Sequence, residues 1–181
     1  MTSFPALRTL LLAAVLCTTA AVAPAYSQQS VGERLDDTVT LTRVKAALVG
    51  DSQLSARDIH VDVLKGRVQL NGFVETENER SHAMTVAAKV AGVNSVDNNL
   101  EVQKSIRTAE VVIDDAATTT RVKAALVADS RTKAREINVI TRQGVVMLAG
   151  FVSTDAERGA AEDIARSVSG VSRVDNQIAL K

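Results

Sequence analysis

The chain has 181 residues, 46% hydrophobic and 23% charged, with 21 basic and 21 acidic side chains and only 2% aromatics. This is the composition of a globular protein, and it excludes a disordered or collagen-like chain. Zero net charge and few stacking rings argue against a nucleic-acid partner, and three Phe with one Tyr leave the core to Val, Ala, Leu and Ile.

Residues 1–27 differ in kind from the rest. Arg8 precedes an apolar run, Leu10 to Cys17 continuing through Ala20 to Ala23, and small residues follow around Ala25 and Ser27. A positive start, a short apolar stretch and a small-residue exit describe a secretory signal peptide. Cleavage is expected near Ser27, with Ala25 as the alternative. The single cysteine, Cys17, lies inside this leader, so disulfide and thiol chemistry are not expected of the exported chain. Leu16 stands before it where a lipoprotein signal has a small residue, so acylation is not expected either. Export without cysteines suits a bacterial periplasm.

The remainder is a duplication. An offset of 78 aligns residues 35–102 with 113–180 without a gap, and 34 of the 68 positions are identical. The octapeptide "TRVKAALV" occurs letter for letter at Thr42–Val49 and Thr120–Val127.

Each copy opens on paired acids, Asp36-Asp37 and Asp114-Asp115, expected to cap a first helix and to complement its dipole. Within that helix Val44, Ala47 and Leu48, like Val122, Ala125 and Leu126, share one face by their spacing. On this spacing the octapeptide as a whole is expected to be mainly core, with Arg43, Lys45, Arg121 and Lys123 at its flanks. The alternating Ile59, Val61 and Val63, a Lys65-Gly66 turn, then Val68 and Leu70 predict a β-hairpin, matched by Ile137, Val139, Gly144, Val146 and Leu148. Gly72 and Gly150 mark positions where a strand needs a bulge or lets a helix approach.

Thr76 with Glu79, and Thr154 with Glu157, fit a capping box and start a second helix. Its inward face is Ala83, Val86, Ala87 and Val90, or Ala161, Ile164, Ala165 and Val168. Gly92 and Gly170 then suit a helix C-terminus. A last strand alternates Val96, Leu100 and Val102, or Val174, Ile178 and Leu180. The order α-β-β-α-β predicts an α+β fold: two tandem modules, residues 35–102 and 113–181, each a three-stranded sheet with both helices on one face. Residues 103–112 are expected to be a linker. Modules this small are near the lower limit of independent folding, so mutual support is expected.

Little in either copy suggests catalysis, a metal or a cofactor. The two histidines, His60 and His82, face Asn138 and Ala160 in the second copy, which argues against a shared site. Glu75, Glu77 and Glu79 cluster where a helix start already favours acids. There is no glycine-rich phosphate loop and no Gly-x-Ser-x-Gly elbow.

Charge separates the copies. Seven basic against ten acidic side chains give −3 over residues 35–102, and ten against nine give +1 over 113–181. Arg121 and Lys123, followed by Arg131, Lys133 and Arg135, form the densest basic stretch of the chain after its leader and are the candidate residues for an anionic surface.

The duplicated unit resembles the BON domain. The resemblance rests on "V-x-L-x-G-x-V" (Val68, Leu70, Gly72, Val74; Val146, Leu148, Gly150, Val152), the acidic helix start, and "GV-x-x-V-x-N" (Gly92, Val93, Val96, Asn98; Gly170, Val171, Val174, Asn176). With its leader the chain is similar to the exported, osmotically inducible two-module branch of that family. The resemblance implies a non-enzymatic envelope role: peripheral binding of anionic phospholipid and support of envelope integrity under osmotic stress. It implies, as an alternative, a periplasmic chaperone or interaction module for unfolded or envelope proteins.

Overall fold

The computed structural model describes residues 31–104, 106 and 108–181; the expected leader lies outside them. Each module follows the expected order. The first comprises α1 (Val31–Gly50), β1 (Ile59–Leu64), β2 (Arg67–Val74), α2 (Glu77–Ala88) and β3 (Ser95–Val102). The second comprises α3 (Ala109–Ala128), β4 (Ile137–Arg142), β5 (Val145–Val152), α4 (Asp155–Ser167) and β6 (Arg173–Leu180). Helix α3 therefore begins inside the segment expected to be a linker.

In each sheet the middle strand pairs antiparallel with the strand before it and parallel with the strand after it, so the orders are β1-β2-β3 and β4-β5-β6. The antiparallel pairs close through two-residue turns. Lys65 and Gly66 have φ of 52° and 74°, and Gln143 and Gly144 have 51° and 76°, the positive angles a type I′ hairpin turn requires. The parallel partner needs a crossover, which α2 and α4 supply.

Both helices of a module lie on one sheet face, as the pattern predicts. Val44 and Leu48 of α1 and Ala83 and Ala87 of α2 pack with Val61, Val68, Leu70, Val74 and Leu100. The second module repeats this with Val122, Leu126, Ala161, Ala165, Val139, Val146, Leu148, Val152 and Ile178. Each fully buried Val, Leu or Ile side chain here contributes about 1.5–3 kcal/mol.

The paired acids do not cap the first helices. Thr108 caps α3, its hydroxyl accepting from the Val111 N–H at 3.3 Å. Asp37 and Asp115 instead lie within α1 and α3, facing the hairpin turns. The Asp37 carboxylate accepts from the N–H groups of Lys65 and Gly66 at 2.8 and 2.9 Å, and Asp115 accepts from those of Gln143 and Gly144 at 2.8 and 3.0 Å. A tight turn exposes two amides that no strand can pair, and a carboxylate gripping both fixes the helix against the hairpin.

The capping boxes form with one variation. Thr76 and Thr154 accept from Glu79 and Glu157 N–H, each at 3.2 Å, while the Glu side chains reach back to the N–H of Glu75 and Ser153, one residue before the cap. Gly72 and Gly150 have φ of 128° and 118°. The close neighbour is not a helix: a Cβ would collide with the backbone carbonyl of Asp58 or Glu136, at the end of the short 3-10 turn before β1 or β4.

The faces turned away from the helices pack on each other, giving four layers, helices-sheet-sheet-helices. Phe73, Ile140 and Met147 are buried together, with Val145 against them. Strand β1 lies over β4, where the Asn138 amide donates to Asp62 at 2.6 Å. Strand β2 lies over β5, with Gly72 N–H donating to Met147 Sδ at 3.1 Å and Gly150 N–H to Gln69 at 3.3 Å. Arg173 on β6 pairs with Glu101 on β3. Arg142 pairs with Asp58 and stands 5.4 Å over the Phe73 ring, while Arg67 stands 5.9 Å over Phe151. Burial at this interface raises the pKa of Asp62, opposed by the Asn138 hydrogen bond.

Two substitutions test these supports by urea denaturation. Asp37→Ala is expected to lower the unfolding free energy by about 2 kcal/mol through the two turn amides it leaves unpaired. Phe73→Ala is expected to cost about 3–5 kcal/mol by opening a cavity between the sheets; a cost under about 1 kcal/mol would show that the sheets do not depend on this contact.

Candidate functional site

The octapeptide repeat is mostly surface, which corrects the expectation that it is mainly core. Val44 and Leu48 are buried and Ala47 half-buried, but Thr42, Arg43, Lys45, Ala46 and Val49 are exposed. The second copy has the same distribution from Thr120 to Val127. Val49 and Val127 are 74% and 75% exposed, unusual for valines in a packed domain.

The five expected basic residues do not form one patch. Arg121 and Lys123 are about 200° apart around α3, at 100° per residue, so they occupy opposite flanks of the helix. Arg121 turns toward α4, beside Gly170, and lines a cleft of about 540 Å3 with Asp114, Thr118 and Gln143. An equivalent cleft of about 430 Å3 holds Asp36, Thr40, Arg43 and Lys65 in the first module. Lys123 lies exposed on the other flank, near enough to His60 on β1 for its charge to act there.

Beyond α3 the basic residues diverge. Arg131 is exposed but committed: its guanidinium donates to Asp129 at 2.7–3.3 Å, and its N–H donates there at 2.9 Å. These bonds, the side-chain ones first, hold the Asp129 carboxyl down at about 2. Lys133 turns toward α4, its ammonium 3.4 Å from Ser153 Oγ and its N–H donating to the buried Glu157. Arg135 stands exposed on the 3-10 turn before β4. The Arg131 pairing was within reach of sequence reasoning, since Asp129 stands two residues before it.

Three of the remaining chemically capable side chains, His82, Glu77 and Glu79, have structural partners. His82 Nε2 and Asp51 meet at 2.9 Å, joining α2 to the end of α1. Glu79 caps α2, and Glu77 pairs with Arg80 at 3.1 Å. Among the described residues, no group of three or more His, Cys, Asp or Glu side chains is placed to hold a metal. No helix among them is long and apolar enough to cross a membrane.

Comparison with known proteins fits this repeat. The BON-domain profile matches twice, over residues 36–104 and 114–181. The chain belongs to the BON-domain family. It is 38% identical over 156 residues to the osmotically-inducible protein Y of Escherichia coli (strain K12), covering 86% of this chain and 78% of that one. It is 35% identical over 151 residues to the outer membrane lipoprotein DolP of Haemophilus influenzae, covering 83% and 77%. A 21 kDa hemolysin of Actinobacillus pleuropneumoniae is 36% identical over 147 residues, 81% of this chain and 75% of that one.

The commitment of Arg131 can be measured directly. In an Arg131→Gln variant the Asp129 pKa, followed by carbon-13 NMR, is expected to rise from about 2 toward 3.8. It should stop short, because the residue 131 N–H still donates; a value unmoved from about 2 would show that the guanidinium is not what holds the carboxylate.

Proposed function

We propose that this protein is a non-enzymatic envelope protein, exported to the periplasm with a leader cleaved near Ser27, that binds anionic phospholipid surfaces and supports the envelope under osmotic or similar stress. The observation that carries the reading is on α3: Arg121 and Lys123 are exposed, and among the described residues neither has an ion-pair partner. Unpaired surface cations are free to meet phosphate, each contributing about 1 kcal/mol near an anionic membrane before screening. Arg135, exposed on the turn before β4, adds a further positive charge past the helix end, while Lys133 turns toward Ser153. Arg131 contributes less, its charge being offset by Asp129.

The relatives support the setting. One is named for osmotic induction and another as an outer-membrane lipoprotein, both consistent with an envelope role. Binding of this kind needs no cofactor and no covalent step. It is reversible and weakened by salt, because exposed charges are screened beyond about 8 Å at physiological ionic strength.

A second reading, client holding by a periplasmic chaperone, draws on exposed apolar side chains, among them Ile106 and Val112 beside the start of α3. Apolar contacts of that kind would be insensitive to salt.

Co-sedimentation of residues 28–181 with phosphatidylglycerol-containing vesicles separates the two. Arg121→Glu/Lys123→Glu is expected to weaken binding at low salt by roughly thirty-fold, the equivalent of about 2 kcal/mol. High salt should do the same to the wild type. Absence of wild-type binding at low salt, with salt-insensitive suppression of client aggregation, would put the chaperone reading in its place.

A further inference from the structure

The two copies of the octapeptide are identical where packing does not require it. All five of its exposed positions, 42, 43, 45, 46 and 49, keep their residue in the second copy. The second helices behave in the opposite way. None of the exposed positions of α2, at 77, 78, 81, 84, 85 and 88, keeps its residue in α4. Surface positions without a role drift after a duplication, as those of α2 and α4 have and as Thr38, Val39 and Gly50 of α1 have against Ala116, Ala117 and Ala128, so the exposed part of the octapeptide is held by something outside the module core.

That face has a definite chemistry. Thr42, Lys45, Ala46 and Val49 fall at i, i+3, i+4 and i+7, a single stripe carrying one cation and one fully presented valine, with Arg43 on the far flank. Thr120, Lys123, Ala124 and Val127 repeat it. Among the described residues, Lys45 and Lys123 form no ion pair: Asp62, whose carboxyl feels the Lys45 charge, accepts from Asn138 and Asn71, and Asp58 pairs with Arg142.

The packing of the modules decides where the two stripes point. Helix α1 lies on β1 and α3 on β4, and β1 is stacked over β4. Both helices therefore flank the same edge of the four-layer sandwich. His60, on β1 at that edge, lies within reach of both stripes: burial is the largest cause lowering its pKa, the charge of Asp62 opposes this, and Lys45 and Lys123 each lower it further.

We propose that the β1/β4 edge is one composite docking face, in which the matching stripes of α1 and α3 engage a single anionic phospholipid surface together. This rests on the phospholipid reading above and enlarges its site from the second module to both. Charge complementarity selects the occupant: two lysines without ion-pair partners, Lys45 and Lys123, and two exposed valines, Val49 and Val127, suit a plane of phosphates over hydrocarbon. Two weak contacts on one body act as one stronger contact, since binding of the first raises the effective concentration of the second.

The test uses residues 28–181 and phosphatidylglycerol/phosphatidylcholine vesicles, with phosphatidylcholine vesicles as blank. Three charge-reversal pairs are compared: Arg43→Glu/Lys45→Glu on α1, Arg121→Glu/Lys123→Glu on α3, and Lys89→Glu/Arg166→Glu on the far helices, each checked for native circular dichroism. The α1 and α3 pairs are each expected to lose at least ten-fold in vesicle affinity and the third pair less than two-fold. Wild-type affinity in the α1 pair beside a loss in the α3 pair would overturn the composite face and leave the single-module reading standing. Equal losses in all three pairs would overturn it as a mere effect of net charge, and absence of wild-type binding would overturn both readings. Vesicle clustering by the wild type, read as turbidity, would show the stripes addressing two surfaces and would overturn the single-surface arrangement.

Discussion

Helices α1 and α2 cover one side of the first sheet and leave its other side bare, and the second module has the same deficit. A bare three-stranded sheet would present Phe73 or Met147 to water together with two open strand edges. Packing the bare sides against each other buries Phe73, Ile140 and Met147, and it makes the central strands buried on both faces. Modules of this size have little core to spare, so the shared layer adds apolar burial that neither module can supply alone.

That contact also explains how the copies have diverged. On the helix side of the central strands, Val68, Leu70, Gly72 and Val74 recur unchanged as Val146, Leu148, Gly150 and Val152, because each must fit the same two helices. On the other side Arg67, Gln69 and Asn71 stand where the second copy has Val145, Met147 and Ala149, with only Phe73 retained. A core meets an identical environment in each module, whereas the interface brings unlike partners together. Asp62, for example, is half-buried with Asn138 of the second module donating to it beside its own Asn71, and a pair of first modules would lose the Asn138 donor.

Much of this architecture is legible in the sequence, and the limits have physical causes. Hydrophobic alternation and helical spacing disclose the α-β-β-α-β order and the helix-facing residues, since those patterns are imposed locally. The second buried face of β2 is not disclosed, because Gln69 and Asn71 look like solvent positions until another sheet arrives. Asp37 and Asp115 were expected as caps on local grounds, but their partners are turn amides 28 and 29 residues away. In the basic stretch the charges of Arg121, Lys123 and Arg135 are legible, while the flanks they occupy follow only from the placement of α3. For the octapeptide, spacing alone led to core. Exposure reverses the emphasis, because an apolar i, i+3, i+4 pattern accounts for only three of its eight residues.

The polar character of the first module's inner face has a consequence for how the chain avoids its own copies. Paired with itself, the second module would bring Val145, Met147, Phe151 and Ile140 together and bury an apolar layer, a favourable association. The first module offers Gln69 and Asp62 at the corresponding positions, and self-pairing would bury these without the donors and acceptors that the second module supplies. Its face is therefore suited to cover the second module and poorly suited to cover itself. Covalent linkage through residues 103–108 places that partner at high local concentration, which favours closure within the chain over association between chains. The same closure sets α1 and α3 at one edge, so the interaction that completes the core also determines which surfaces the two helices can address together.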